Sequence, residues 1–283
     1  MPRIRSSLLA DARFRWMQAR RHLSTMNREV GAFREGKSYT IVRDVDADKS
    51  EYVYQCRYLE PFPSERLGLI IGDCLHNAKA ALNSIVRVLA GSEFDYRVEF
   101  PIYVDAYQFE HTARRWASKK VLIHKSAIAE LRSLQPYHLR DPRKDSLWML
   151  NELIEHDNHK IIRPILISGR GNRSAFSHTN SSETPIQADP RLEASGGLPR
   201  EAQREPDANN LEARVIPAPQ DSRRSSRIQF GVAFEPTIFG GGCYVQSYLT
   251  QLMKRIDEII SSFQSLLERN PHWVRVESTD STH

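Results

Sequence analysis

The stretch Ser64–Ala90, SERLGLIIGDCLHNAKAALNSIVRVLA, constrains this chain more than any other. At about 100° per residue, Leu67, Ile70, Ile71, Cys74, Leu75, Ala78, Ala81, Leu82, Ile85, Val86, Val88 and Leu89 fall on one broad face. That face is wider than the stripe of a surface helix, so the spacing predicts a central helix with neighbours on several sides. Ser64, after Pro63, is the expected N-cap, and Glu65 stands where the helix dipole favours an acid. A narrower strip carries Asp73, Asn77 and Ser84 around the small Ala80, with His76, Asn83 and Arg87 beside it. So apolar a helix has little reason to carry these groups unless something answers them.

Other segments show their periods almost as plainly. Leu9, Ala12, Trp16, Ala19, Leu23, Met26, Val30 and Phe33 keep helical spacing and predict a long helix over Ser7–Phe33. Lys37–Val45 and Glu51–Tyr58 alternate as a hairpin about a polar turn. Arg97–Val104 reads as a short strand, placed at an edge by Pro101. Asp105 with Gln108 makes a capping box for the next helix, and another covers Lys125–Leu134. Asp145–Ile161 is a helix leading into the strand ILIS, while Ala213–Ala218 and Arg227–Glu235 are strands. Gly240–Gly242 form a connector before a terminal helix over Tyr244–Arg269.

The expected fold is mainly α (α+β). Four long helices (7–33, 64–90, 145–161 and 244–269) make one antiparallel bundle, and the strands form a small accessory antiparallel sheet. The chain is read as one domain over 1–283. Residues 169–210, rich in Ser, Asn, Gly, Pro, Arg and Glu, are expected to be a flexible insertion, and 275–283 a disordered tail.

Composition narrows the classes. The 283 residues, 40% apolar and 27% charged, are those of a soluble globular protein. No apolar run approaches the roughly 18 residues of a membrane span, and the N-terminal MPRIRSSLLADARF has too short an apolar run for a secretory signal. Cys56, Cys74 and Cys243 form no CxxC and suit a reducing compartment, so a cytoplasmic location is expected, with no membrane partner. Residues 1–36 hold arginines 3, 5, 13, 15, 20, 21, 28 and 34 against Asp11, Glu29 and Glu35, and so carry the whole formal excess of +5. An Arg-rich helix can meet phosphate by releasing counterions, which makes nucleic acid a candidate partner.

On the helix over 145–161 the apolar face runs through Leu147, Leu150, Leu153, Ile154 and Ile161, with Asp157 in its middle. A carboxylate there calls for a partner, and the strip Asp73–Asn77–Ser84, with His76 and Lys79, is the best supply. Three readings stay open. In the first, a hydrogen-bonded polar layer fixes helix register. In the second, His76, Asp157 and His159 carry acid–base chemistry, while Asp73, Asn77, Lys79, Asn151 and Lys160 hold a phosphate-bearing ligand. In the third, Glu152, Glu155, His156 and His159 gather a metal, although no HExxH is present and no metal is the preferred reading. Neither a phosphate-binding glycine loop with its Lys nor a dinucleotide fingerprint occurs, and no cofactor is expected.

The segments GDCLHNAKAALNSIV (72–86), FPIY (100–103), LQPY (134–137) and LWMLNELIEHDNHK (147–160) resemble an uncharacterised family of bacterial proteins. The likeness covers residues 64–165, with Asp73, His76, Asn77, Ala81, Leu82, Asp157 and His159 matching the family pattern. Lys79 and Lys160 stand where that family has Arg, Asn83 where it has Asp, and Ser84 where it has His. The first block also resembles HEPN domains, helical bundles of which many are RNases using an Arg-x4–6-His motif. That resemblance implies a helical nucleic-acid-binding module, and Ser84 in place of His implies weak or absent catalysis. The alternatives are an RNase-type or metal-dependent enzyme using His76, Asp157 and His159, and a structural protein that forms a homodimer through its first or last helix. Enzyme or not is left undecided by the residues alone.

Overall fold

A computed structural model describes residues 9–36, 39–46, 51–91, 98–118, 121, 123–169, 210–215, 229–235, 238 and 243–270. The described chain is mainly helical. Its elements run α1 (Ala10–Glu35), β1 (Tyr39–Asp46), β2 (Glu51–Tyr58), α2 (Ser64–Ala90), α3 (Ala106–Ser118), α4 (Lys125–Ser133), α5 (Ser146–His159), β3 (Ile165–Gly169), β4 (Asn210–Val215), β5 (Gln229–Ala233) and α6 (Val245–Arg269). Among the described residues no helix is long and apolar enough to cross a membrane.

Contacts group the chain, read as one domain from its sequence, into two compact units, each assembled from separate segments. The first takes residues up to Asn27, Glu65–Ile162 and Gln246 onward, and is built from helices. α2 lies between α1 and α5. Ser84 of α2 meets Asp11 of α1 and Cys74 meets Ala19, so α1 and α2 run antiparallel. Gly72 of α2 meets Asp157 of α5 while Lys79 meets Asn151, which makes that pair antiparallel too. α6 runs antiparallel to α1, through Arg13 with Asp257, Trp16 Nε1 donating to the Met253 carbonyl, and Asn27 with Gln246. Leu67, Ile71, Leu75, Leu82 and Ile85 are fully buried, as are Leu249, Leu252, Ile256 and Phe263 of α6. Each such aliphatic or aromatic side chain contributes about 1.5–3 kcal/mol of burial.

α2 starts after Pro63 and stops at Gly91, whose φ of 85° only glycine adopts without strain. Its Ser64 hydroxyl, expected to cap the helix, donates instead to the Pro164 carbonyl at 2.8 Å. Two glycines four residues apart, Gly68 and Gly72, let the end of α5 and the chain after it come against the α2 backbone. α5 is capped by Asp145, whose carboxylate accepts from the Leu147 N–H at 2.7 Å.

The expected edge strand over 97–104 is a correction. Residues 98–103 form no ladder, although Val98, Phe100 and Ile102 are buried as alternation demands. The backbone is answered by side chains instead. Asn83 accepts from the Phe100 N–H at 2.9 Å, and Lys79 approaches the Phe100 carbonyl at 3.4 Å. Gln135 accepts from the Tyr103 N–H at 3.0 Å and donates to the Pro101 carbonyl at 2.9 Å. Pro101 has no N–H to offer a strand, and α2 together with the turn after α4 supplies what a partner strand would.

The second unit takes Arg28–Ser64 and Arg163–Val245 and holds the strands. β1 and β2 pair antiparallel in the register Tyr39↔Tyr58, and β2 pairs antiparallel with β4 in the register Tyr52↔Val215. β3 and β5 form a separate antiparallel pair, Ile165↔Ala233. Most of the stretch 169–210, the whole of 275–283, and Gly240–Gly242 lie outside the described residues.

Candidate functional site

Asp157 is where the apolar face of α5 meets α2. Gly72 makes the meeting close: a Cβ at that position would stand 2.5 Å from Asp157 Oδ2. Seated there, the carboxylate is 17% exposed, and its Oδ2 lies 3.3 Å from Nε2 of His76, one turn along α2. A mostly buried carboxylate requires an answering group, and the His76 ring stands within ion-pair distance of it, a favourable partner when that ring is protonated. The imidazole is 48% exposed. An oriented imidazole of this kind can take up or release a proton at its second nitrogen, or present an N–H to an anion.

The other groups of the expected site divide into three sets. Asp73 and Asn77 share the exposed side of α2 with His76. Asn77 Nδ2 donates to the Asp73 carbonyl at 2.8 Å, and Asp73 Oδ2 lies 4.0 Å from Nδ1 of His22 on α1. Lys79 and Asn151 are joined to each other, with Nζ donating to Oδ1 at 2.8 Å. Burial pushes the Lys79 ammonium down to about 8, against the opposing effect of Glu99. Its bonds to Asn151 and to the Phe100 carbonyl make it a clip between α2, α5 and the 98–103 segment.

His159 and Lys160 form the third set and are a correction to the expected constellation. His159 is 76% exposed and pairs with Glu155 on its own helix at 3.1 Å. Residues 157 and 159 stand about 200° apart on a helix, so a carboxylate turned to α2 sends that imidazole away. Lys160 closes α5 through its backbone N–H to the His156 carbonyl and is exposed. Among the described residues no three His, Cys, Asp or Glu side chains gather as metal ligands, and Glu152, Glu155, His156 and His159 are not brought together as such a set.

Four features escaped the sequence reading. Gly68 and Gly72 signal close helix contact by their spacing alone. His22 stands within ion-pair distance of Asp73. Asp11 receives the buried Ser84 hydroxyl at 2.6 Å. Burial works to raise the Asp11 carboxyl, yet the Ser84 hydrogen bond and the Arg15 guanidinium outweigh it and hold it below the usual value. Gln135, buried, satisfies two backbone groups of the 98–103 segment.

Comparison of the chain with protein-family models, with curated proteins and with solved structures finds no match.

Proposed function

We propose that this chain is a cytoplasmic, HEPN-like helical module that binds nucleic acid or another phosphate-containing ligand without strong catalysis. In this reading α1, α2, α5 and α6 are the antiparallel bundle of four long helices, and the paired strands are its small accessory sheet. The likeness of residues 64–165 to the bacterial family, and of the first block to HEPN domains, is part of the case.

The observation that carries it is the distribution of proton-transfer groups. Of the two imidazoles expected to carry acid–base chemistry, His76 stands against the mostly buried Asp157 and is half open, while His159 sits apart beside the exposed Glu155. An imidazole held in this way can present an N–H to a phosphate oxygen. Cleavage of a phosphodiester by acid–base catalysis calls for an acceptor and a donor at the reacting atoms. The Asp157–His76 pair itself favours a second reading, an RNase-type enzyme in which His76 is the base.

Anisotropy of a labelled single-stranded RNA, measured between about 50 and 200 mM salt, tests the proposal. Binding should weaken steeply with salt, persist in His159→Ala and fall in His76→Ala, with the RNA intact on a gel. Absence of binding at the lowest salt overturns the nucleic-acid reading. Cleavage that disappears in Asp157→Asn and His76→Ala transfers the case to the enzyme.

A further inference from the structure

The two edges of α1 in the helical unit are marked by its contacts. Asp11 and His22 face α2, through Ser84 and Asp73. Arg13 and Trp16 face α6, through Asp257 and the Met253 carbonyl. Between these edges Phe14, Met17 and Arg21 follow one another at i, i+3 and i+7 along an outward crest. A solvent-facing crest would ordinarily be polar, yet Phe14 is 54% and Met17 44% exposed.

The arginines around this crest are not equivalent. Arg13 is taken up by Asp257, Ser261 and Gln264, and Arg15 by Asp11. Arg20 lies with its guanidinium carbon 5.0 Å from the centroid of the Trp16 ring, whose indole N–H is fixed on Met253. That stacking positions the guanidinium but uses none of its N–H donors. Among the described residues neither Arg20 nor Arg21 has a carboxylate or carbonyl partner. Two unneutralised guanidinium groups therefore flank an exposed ring and a thioether.

A second copy of the chain is a poor occupant. Pairing two such crests would set four uncompensated guanidinium groups together, with the one acid of each helix segment, Asp11, already engaged. Two apolar side chains also fall short of the face by which a helix enters a bilayer. A duplex hides its base faces, whereas a single strand offers both phosphates and bases. We propose that Phe14, Met17, Arg20 and Arg21 form a binding strip for single-stranded nucleic acid, with a base stacked on Phe14 and phosphates held by the two arginines. This rests on the nucleic-acid reading above and names its contact surface.

The test uses the full chain with a labelled single-stranded RNA and the duplex of the same length. Single strand should bind more tightly than duplex. Phe14→Ala should weaken it by about tenfold, within the range of one lost base stack, without changing the salt slope, and Phe14→Tyr should restore it. The double variant Arg20→Gln/Arg21→Gln should flatten the log–log salt slope by about 1.4, the value for two phosphates of a single strand. All these side chains are at the surface, and an unchanged melting temperature will show that the variants are folded. RNA binding that ignores all these substitutions overturns the strip while the nucleic-acid reading stands; no RNA binding at all overturns both. Dissociation of a dimer by Phe14→Ala in sedimentation, with RNA affinity unchanged, also overturns the strip and assigns the crest to a second copy.

Discussion

Replacing Gly72 by Ala probes the seat of Asp157 directly. The added Cβ would stand 2.5 Å from Oδ2, 3.1 Å from Cγ and 3.2 Å from Oδ1 of Asp157. To reach ordinary van der Waals separation the carboxylate must retreat by roughly 0.7–1 Å. The His76–Asp157 approach of 3.3 Å would then open to about 4 Å, weakening the pairing. Overpacking and the unpaired carboxylate together cost about 2–3 kcal/mol. Alanine returns about 1 kcal/mol of helix propensity, so the net loss is about 1–2 kcal/mol, with each kcal/mol lowering the melting temperature by about 2–4 °C. Two other glycines calibrate the result. A Cβ at Gly68 would collide with the Ile162 carbonyl oxygen, which is backbone and has nowhere to retreat, so Gly68→Ala should be the more damaging change. A Cβ at Gly31 meets nothing within 4 Å, so Gly31→Ala should stabilise by about 0.5–1 kcal/mol. Thermal and urea unfolding followed by circular dichroism gives the ranking, and the His76 ring resonances should move in Gly72→Ala but not in Gly31→Ala. If Gly72→Ala stabilises the chain as Gly31→Ala does, Asp157 is not held against α2 and the site does not exist as described.

Two further outcomes follow from the 98–103 segment. Gln135→Leu should destabilise by about 2–4 kcal/mol in urea unfolding, because it leaves the buried Pro101 carbonyl and the half-buried Tyr103 N–H without partners; a loss under 0.5 kcal/mol would contradict the assignment. Lys79 is pushed from 10.5 down to about 8, so between these values the unfolded chain holds a proton that the folded chain has released. Stability of the wild type relative to Lys79→Met should therefore rise with pH across that window, by up to about 3 kcal/mol, and change little below pH 8. A relative stability that falls over the window would refute the buried position of this ammonium.

The helices were legible because their signals are local. The broad apolar face of 64–90 carries its own boundaries in Pro63 and Gly91, and the stripe through Leu249, Leu252, Ile256, Ile259 and Phe263 needs no knowledge of a partner. Asp157 announced itself as a carboxylate among leucines, and its need for a partner on the central helix is met by His76. The segment VEFPIYV misled because alternation reports burial on one side, not membership in a ladder. The helix-borne Asn83 and the distant Gln135 took the place of the strand that local pattern implied. His76, Asp157 and His159 suit acid–base chemistry by residue type, but the helical angle between 157 and 159 sets His159 apart from the other two. Gly68 and Gly72 passed as small residues on a crowded face. Their meaning depends on α5, which lies roughly eighty positions further along the chain.

A main chain satisfied by a neighbouring strand can accept almost any side chain, since the ladder recognises only peptide groups. The run from Val98 to Tyr103 has surrendered that freedom. Its conformation is written in Lys79, Asn83 and Gln135, side chains that lie outside it. Drift at any of the three would be felt as a displaced loop some twenty or thirty residues away, and a designer grafting this segment elsewhere would have to carry α2 and the turn after α4 with it.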